Sequence, residues 1–96
     1  LYIKDFEDLI YNILKMKDFK KRIYNVGGGK AYSNLEVAKK ILSISKKRLK
    51  IEILNIKRKN DVDICFSDNN KIKSDLKWNP SFNLNQGLTE ILNLKK

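Results

Sequence analysis

Ile23-Tyr24-Asn25-Val26-Gly27-Gly28-Gly29, then Ser33-Asn34-Leu35-Glu36, then Ile51-Glu52-Ile53-Leu54-Asn55-Ile56, is the stretch on which the fold reading turns. Ile23 to Val26 is short and nearly continuously apolar, the pattern of a strand buried on both faces of a parallel sheet. The three glycines break it and supply the backbone freedom of a sharp turn with positive φ. Ser33 and Glu36 have the spacing of a capping box, in which hydroxyl and carboxylate each satisfy an orphan N–H at a helix start. The helix they open turns Leu35, Ala38, Ile41 and Leu42 inward and Lys39, Lys40 and Lys46 outward. Ile51 to Ile56 reads as the next strand. Strand, glycine turn, helix and strand within about 35 residues predict a βαβ unit with a right-handed crossover.

Outward from that unit, Asp5 is placed to cap a helix. Phe6, Leu9, Ile10, Ile13 and Leu14 follow the spacing of one buried stripe on it. A basic, helix-ending stretch covers Lys15 to Arg22. Downstream of Lys57-Arg58-Lys59, Val62, Ile64 and Phe66 alternate with Asp63 and Cys65, as in a short extended segment with one buried face. Asp68 can cap a two-turn helix bearing Ile72 and Leu76, with Trp78 over its end and Pro80 as the stop. Asn83 and Gln86 form a second cap for a last helix carrying Leu84, Leu88, Ile91 and Leu92. The expected fold class is α/β: one small domain over residues 1–96, with a βαβ unit, short strands and three to four helices.

Composition bounds the function. Ninety-six residues with 42% hydrophobic content, spread along the chain, suit a single modest core rather than disorder. No apolar run approaches the roughly 18–20 residues of a membrane span, and nothing resembles a signal peptide. Cys65 is the only cysteine, so no internal disulfide can form, and it reads as a small core or half-buried residue of a reducing compartment. The net charge of +10 raises nucleic acid as a partner, but 18 of the 21 basic residues are lysine and they are scattered. Base readout favours arginine, so a solvated lysine surface is the better reading. Leu1-Tyr2-Ile3 looks like the end of a strand already under way, which suggests a piece of a longer polypeptide.

The glycine run is no phosphate cradle by spacing. A P-loop needs its second glycine four residues after the first and directly before Lys-Ser/Thr, whereas Lys30 is followed by Ala31-Tyr32. A G-x-G-x-x-G fingerprint fails because position 32 is tyrosine. Only Tyr11 has a lysine four residues on, Lys15, and it sits on the helix whose buried stripe is already accounted for.

Five pieces in order nevertheless resemble the C-terminal part of the NAD-dependent epimerase/dehydratase family, the extended short-chain dehydrogenases of UDP-glucose 4-epimerase or CDP-tyvelose epimerase type. They are Ile3-Lys-Asp-Phe-Glu-Asp-Leu9, Ile23 to Gly29 with Ser33 to Val37, Arg58-Lys-Asn-Asp61, Asp68-Asn-Asn-Lys71 through Trp78-Asn-Pro80, and Leu84-Asn-Gln-Gly-Leu88. Asn60 and Lys77 stand where that family has glycines. The resemblance implies the substrate-binding portion of a cytoplasmic nucleotide-sugar epimerase or dehydratase, an isomerase or lyase of carbohydrate metabolism. It implies NAD as cofactor of the full-length enzyme, a missing N-terminal NAD-binding Rossmann domain as partner, and no catalysis by this piece alone. Arg58 would grip the diphosphate of a UDP-, CDP- or dTDP-sugar, since a guanidinium fork makes bidentate, charge-assisted bonds. Asp61 would orient Arg58 or accept from ribose hydroxyls. The alternatives are a small basic nucleic-acid-binding domain and a non-catalytic interaction module derived from the family.

Overall fold

A computed structural model describes residues 1–18 and 23–94, and the chain within them is built from helices alone. In order they are α1 (Ile3–Leu14), α2 (Asn34–Ser45), α3 (Asn70–Leu76) and α4 (Leu84–Leu94). Of the basic stretch expected from Lys15 to Arg22, positions 19–22 lie outside the described residues.

The helix starts follow local chemistry. Glu36 N–H donates to Ser33 Oγ at 3.1 Å and Ser33 N–H to Glu36 Oε2 at 2.7 Å, the reciprocal capping box expected for α2. Asn83 and Gln86 repeat the device ahead of α4, with both bonds at 2.9 Å. At α3 the cap is displaced by one residue. Asn69 is the N-cap, and Asp68 instead accepts the Asn70 N–H at 2.9 Å in a local side-chain turn.

The α/β expectation is overturned, because no strand or sheet forms among the described residues. Ile23 to Val26 carries no ladder, and α3 takes the place of a neighbouring strand. Lys71 Nζ donates to the Ile23 carbonyl at 2.7 Å, Tyr24 Oη donates to Asp75 at 2.9 Å, and the Asn69 side-chain amide pairs with Gly27 on both sides. Ile51 to Ile56 and Val62 to Phe66 carry no ladder either, and a bend falls at Asp63 in the second. Alternation of apolar residues specifies an extended backbone, whereas a strand exists only when a second backbone supplies its hydrogen bonds. Asn55, with φ at 50°, also interrupts the first of these runs.

The core is small. Leu9 from α1, Ile72 from α3 and Trp78 are 2%, 1% and 4% exposed, with Ile13, Tyr24, Val26 and Leu76 packed against them. The stripe read on α1 is therefore only partly buried: Phe6, Ile10 and Leu14 face solvent. Trp78 donates its indole N–H to Asp8 Oδ2 at 3.1 Å, which ties the end of α3 back to α1. A second layer pairs α2 with α4. Tyr2 joins the two, stacking on Phe82 at 4.9 Å between ring centroids, lying against Gly87, and donating to Glu90 at 3.0 Å. The result is a plate of 52 × 37 × 16 Å.

Asp5 departs from its expected role. It lies inside the first turn of α1, 3% exposed, and caps nothing there. Its carboxylate instead accepts from Ser81 N–H and Ser81 Oγ, each at 2.8 Å, and from Phe82 N–H at 3.1 Å. A buried charge needs such full satisfaction, and here it anchors the approach to α4 onto α1.

Candidate functional site

Arg58 and Asp61 fall in one tight turn, where Asp61 N–H donates to the Arg58 carbonyl at 3.3 Å. Asn60 holds the turn with φ at 66°, a left-handed geometry that asparagine tolerates. Both charged side chains are exposed. Neither lines the cleft beside Gly28 to Lys30. The turn lies within an arm, residues 51–66, that has neither helix nor strand.

That arm is the most unusual surface of the chain. Ile53, Leu54, Ile56, Val62, Ile64 and Phe66 are between 61% and 77% exposed. Cys65, expected to be in the core or half-buried, is exposed with them. Among the described residues, the Asp61–Arg58 bond is the only backbone hydrogen bond within 51–66.

The base of the arm is fastened by Asn69. Its Oδ1 accepts from Gly27 N–H at 3.2 Å and from Ser67 Oγ at 2.8 Å, while its Nδ2 donates to the Gly27 carbonyl at 2.8 Å. The side-chain amide thus imitates a neighbouring strand for one residue. Gly27 is required there, since a Cβ would lie 2.3 Å from Ser67 Oγ. Gly29, two residues on, supplies the positive φ of 72° expected of the glycine turn.

Beside this joint an open cleft of about 910 Å³ runs between Gly28–Lys30 and α4, with Tyr2, Tyr32, Phe66 and Phe82 as its aromatic wall and Lys30 and Lys73 as its cations. Lys30 Nζ lies 5.3 Å from the Tyr32 ring centroid. The hydroxyls nearby are committed: Ser67 to Asn69, Ser81 to Asp5 and Tyr2 to Glu90. Burial raises the Tyr2 phenol pKa, and the bond to Glu90 adds to the shift. The Lys4 hydrogen bond lowers the Glu90 pKa, and the same bond raises that of Lys4. These shifts belong to a structural contact between α1 and α4. Tyr11 and Lys15 meet as well, with the ammonium over the ring face at 4.1 Å rather than at the phenol oxygen. That is a cation–π contact and not an acid–base pair.

The implied function falls with the sheet. The resemblance to the NAD-dependent epimerase/dehydratase family, and with it nucleotide-sugar binding and a missing Rossmann partner, presupposes an α/β domain, whereas the described residues form helices and no sheet. Its NAD cofactor, expected for the full-length enzyme, loses its warrant on the same ground. Among the described residues no His, Cys, Asp and Glu group could hold a metal. An interaction module descended from that family loses its premise too. Nor does the structure supply the basic nucleic-acid-binding alternative with a surface, because the exposed arm is mixed in charge, with Glu52, Asp61 and Asp63 against Lys57, Arg58 and Lys59. No helix among the described residues is long and apolar enough to cross a membrane.

Sequence reasoning missed Asn69 and the open arm. The cluster Ser67-Asp68-Asn69-Asn70 was a turn signal in plain view, but its partner, Gly27, lies 42 residues away. Comparison with protein-family models, with curated proteins and with solved structures finds no match for this chain.

Proposed function

We propose that this chain is a protein-binding module whose open apolar face is closed by a partner protein. The carrying observation is area. A compact monomer of 11.3 kDa exposes about 5,700 Å² by the usual size scaling. This chain exposes 8712 Å². The excess of about 3,000 Å² is larger than the roughly 800 Å² that each partner contributes to a standard interface. The radius of gyration agrees, at 16.8 Å against about 12.5 Å for a compact domain of this length.

Large contiguous apolar surfaces mark binding sites in soluble proteins. The helices supply a scaffold with a small but satisfied core, and the arm projects from it. A cytoplasmic setting fits this reading, since an exposed free thiol such as Cys65 persists in a reducing compartment.

Small-angle scattering and dye binding test the reading. The chain in dilute solution should scatter with a radius of gyration near the extended value and should bind an apolar fluorescent dye strongly. A compact radius without dye binding would show that the apolar side chains pack within the chain, and would refute the module.

A further inference from the structure

We propose that the arm over residues 51–66 is a self-association surface, covered by a second copy of this chain across a two-fold axis. The inference rests on the protein-binding reading and names the chain itself as the partner. Area and charge carry it.

Area comes first. Ile53, Leu54, Ile56, Val62, Ile64 and Phe66 each expose between 61% and 77% of their surface. At roughly 60–120 Å² of apolar surface for each such side chain when fully exposed, the six together offer about 250–500 Å². One side of a standard interface is about 800 Å², of which about 450–520 Å² is apolar. The arm by itself therefore supplies half or more of the apolar surface that each copy brings to a stable dimer. The contact needs no pairing of strands, because side-chain burial is non-directional.

Charge comes second and selects the copy. Within the arm Glu52, Asp61 and Asp63 stand against Lys57, Arg58 and Lys59. The two signs are equal in number, so the arm is neutral and the whole net charge of +10 lies outside it. A two-fold contact places the same patch on both sides, so every group must find its complement on that patch. A surface of one sign repels its own copy. Here the turn closed by Asp61 N–H on the Arg58 carbonyl keeps the basic triplet next to the acidic pair, and a second arm can set acid against base. Repulsion between the charges outside the arm is screened beyond about 8 Å at physiological salt. A strongly acidic partner, nucleic acid included, gains no net attraction from a neutral surface.

The test uses the full chain. Sedimentation equilibrium should show the mass rising from 11.3 kDa toward twice that value between about 1 and 100 µM, since interfaces of standard size reach micromolar affinity or tighter. Cys65 is exposed and is the only cysteine, so its alkylation reports on the contact. That reaction and hydrogen exchange of the arm amides should slow as the chain associates. Asp61→Lys with Asp63→Lys makes the arm basic, and Lys57→Glu, Arg58→Glu and Lys59→Glu together make it acidic. Each variant alone should associate at least about tenfold more weakly than the parent. An equimolar mixture of the two should associate again, because acid then meets base across the axis. All five positions lie outside the helices, so helical circular dichroism should be that of the parent. Should either variant unfold, Cys65 alkylation and amide exchange in the parent chain still decide the question.

A chain that stays at one copy at about 100 µM, yet is open and binds dye, would overturn self-association and leave the protein-binding reading standing. A compact chain that binds no dye would remove both. Association that leaves Cys65 and the arm amides unprotected would place the contact on another face and overturn the proposal. Folded variants that associate as tightly as the parent, or a mixture no tighter than either variant alone, would overturn it as well.

Discussion

Asp5→Ala is the most informative single change in this molecule. The Asp5 carboxylate is 3% exposed and receives three hydrogen bonds from two consecutive residues, Ser81 and Phe82. Alanine removes the acceptor and leaves two backbone N–H groups facing a methyl group. Each buried donor left unpaired costs about 1–3 kcal/mol. Relief of the buried charge offsets part of this, so the expected net loss is about 3 kcal/mol. A domain of this length has a total stability of about 5–14 kcal/mol, and a core of three buried apolar side chains belongs at the lower end. The variant should therefore lose half or more of its stability. Urea unfolding, followed by Trp78 fluorescence and by helical circular dichroism, measures the loss directly. Asp5→Asn keeps one acceptor oxygen but turns an NH₂ group toward donors, and it should recover only part. An Asp5→Ala variant within about 0.5 kcal/mol of the parent would refute the anchoring role and the docking of α1 onto the approach to α4.

Further changes test separate joints. Gly27→Ala should cost about 1–3 kcal/mol through the clash with Ser67 Oγ, and Ser67→Gly in the same chain should restore most of it in a thermal melt. Lys77→Gly should raise the urea midpoint by up to about 1 kcal/mol of stability, because Lys77 holds φ at 55° past the end of α3, where glycine carries no Cβ penalty. Stability should also depend on pH at both ends. The Lys4 bond to Glu90 and the Ser33 backbone N–H at Glu36 depress both carboxyls below the ordinary 4.5. Their contribution is therefore full above that value and is lost as pH falls through the depressed pKa values. Lys4 and Tyr2 are shifted upward from 10.5 and 10.0, so their contribution is present below those values and is lost as pH rises through the raised ones. Glu90→Gln should flatten both limbs of a plot of melting temperature against pH, and an unchanged profile would remove Glu90 as the link.

Much of the local structure was legible in advance. The caps at Ser33 and Asn83 were readable because a capping box closes within four residues and needs no other part of the chain. The glycine turn was readable for the same reason, and so was the tolerance of Asn60 for a left-handed turn. The candidate residues Arg58 and Asp61 do share one turn, but sequence could not say that the clefts lie elsewhere. The family resemblance misled because each of its pieces is a local motif. Cap, turn, tryptophan and proline recur wherever a short helix must start and stop, and their order carries no information about whether a sheet joins them.

The amino-acid order alone settled where α2 and α4 begin and how charge is distributed, since those follow from neighbours within a few residues. Tertiary structure decided everything that depends on a distant partner. It made Asp5 an anchor for Ser81 instead of a cap, and it paired Gly27 with the Asn69 side chain instead of a strand. It also left Val62, Ile64 and Phe66 uncovered. An alternating pattern states which face seeks burial. Only a second backbone, from this chain or another, can provide it.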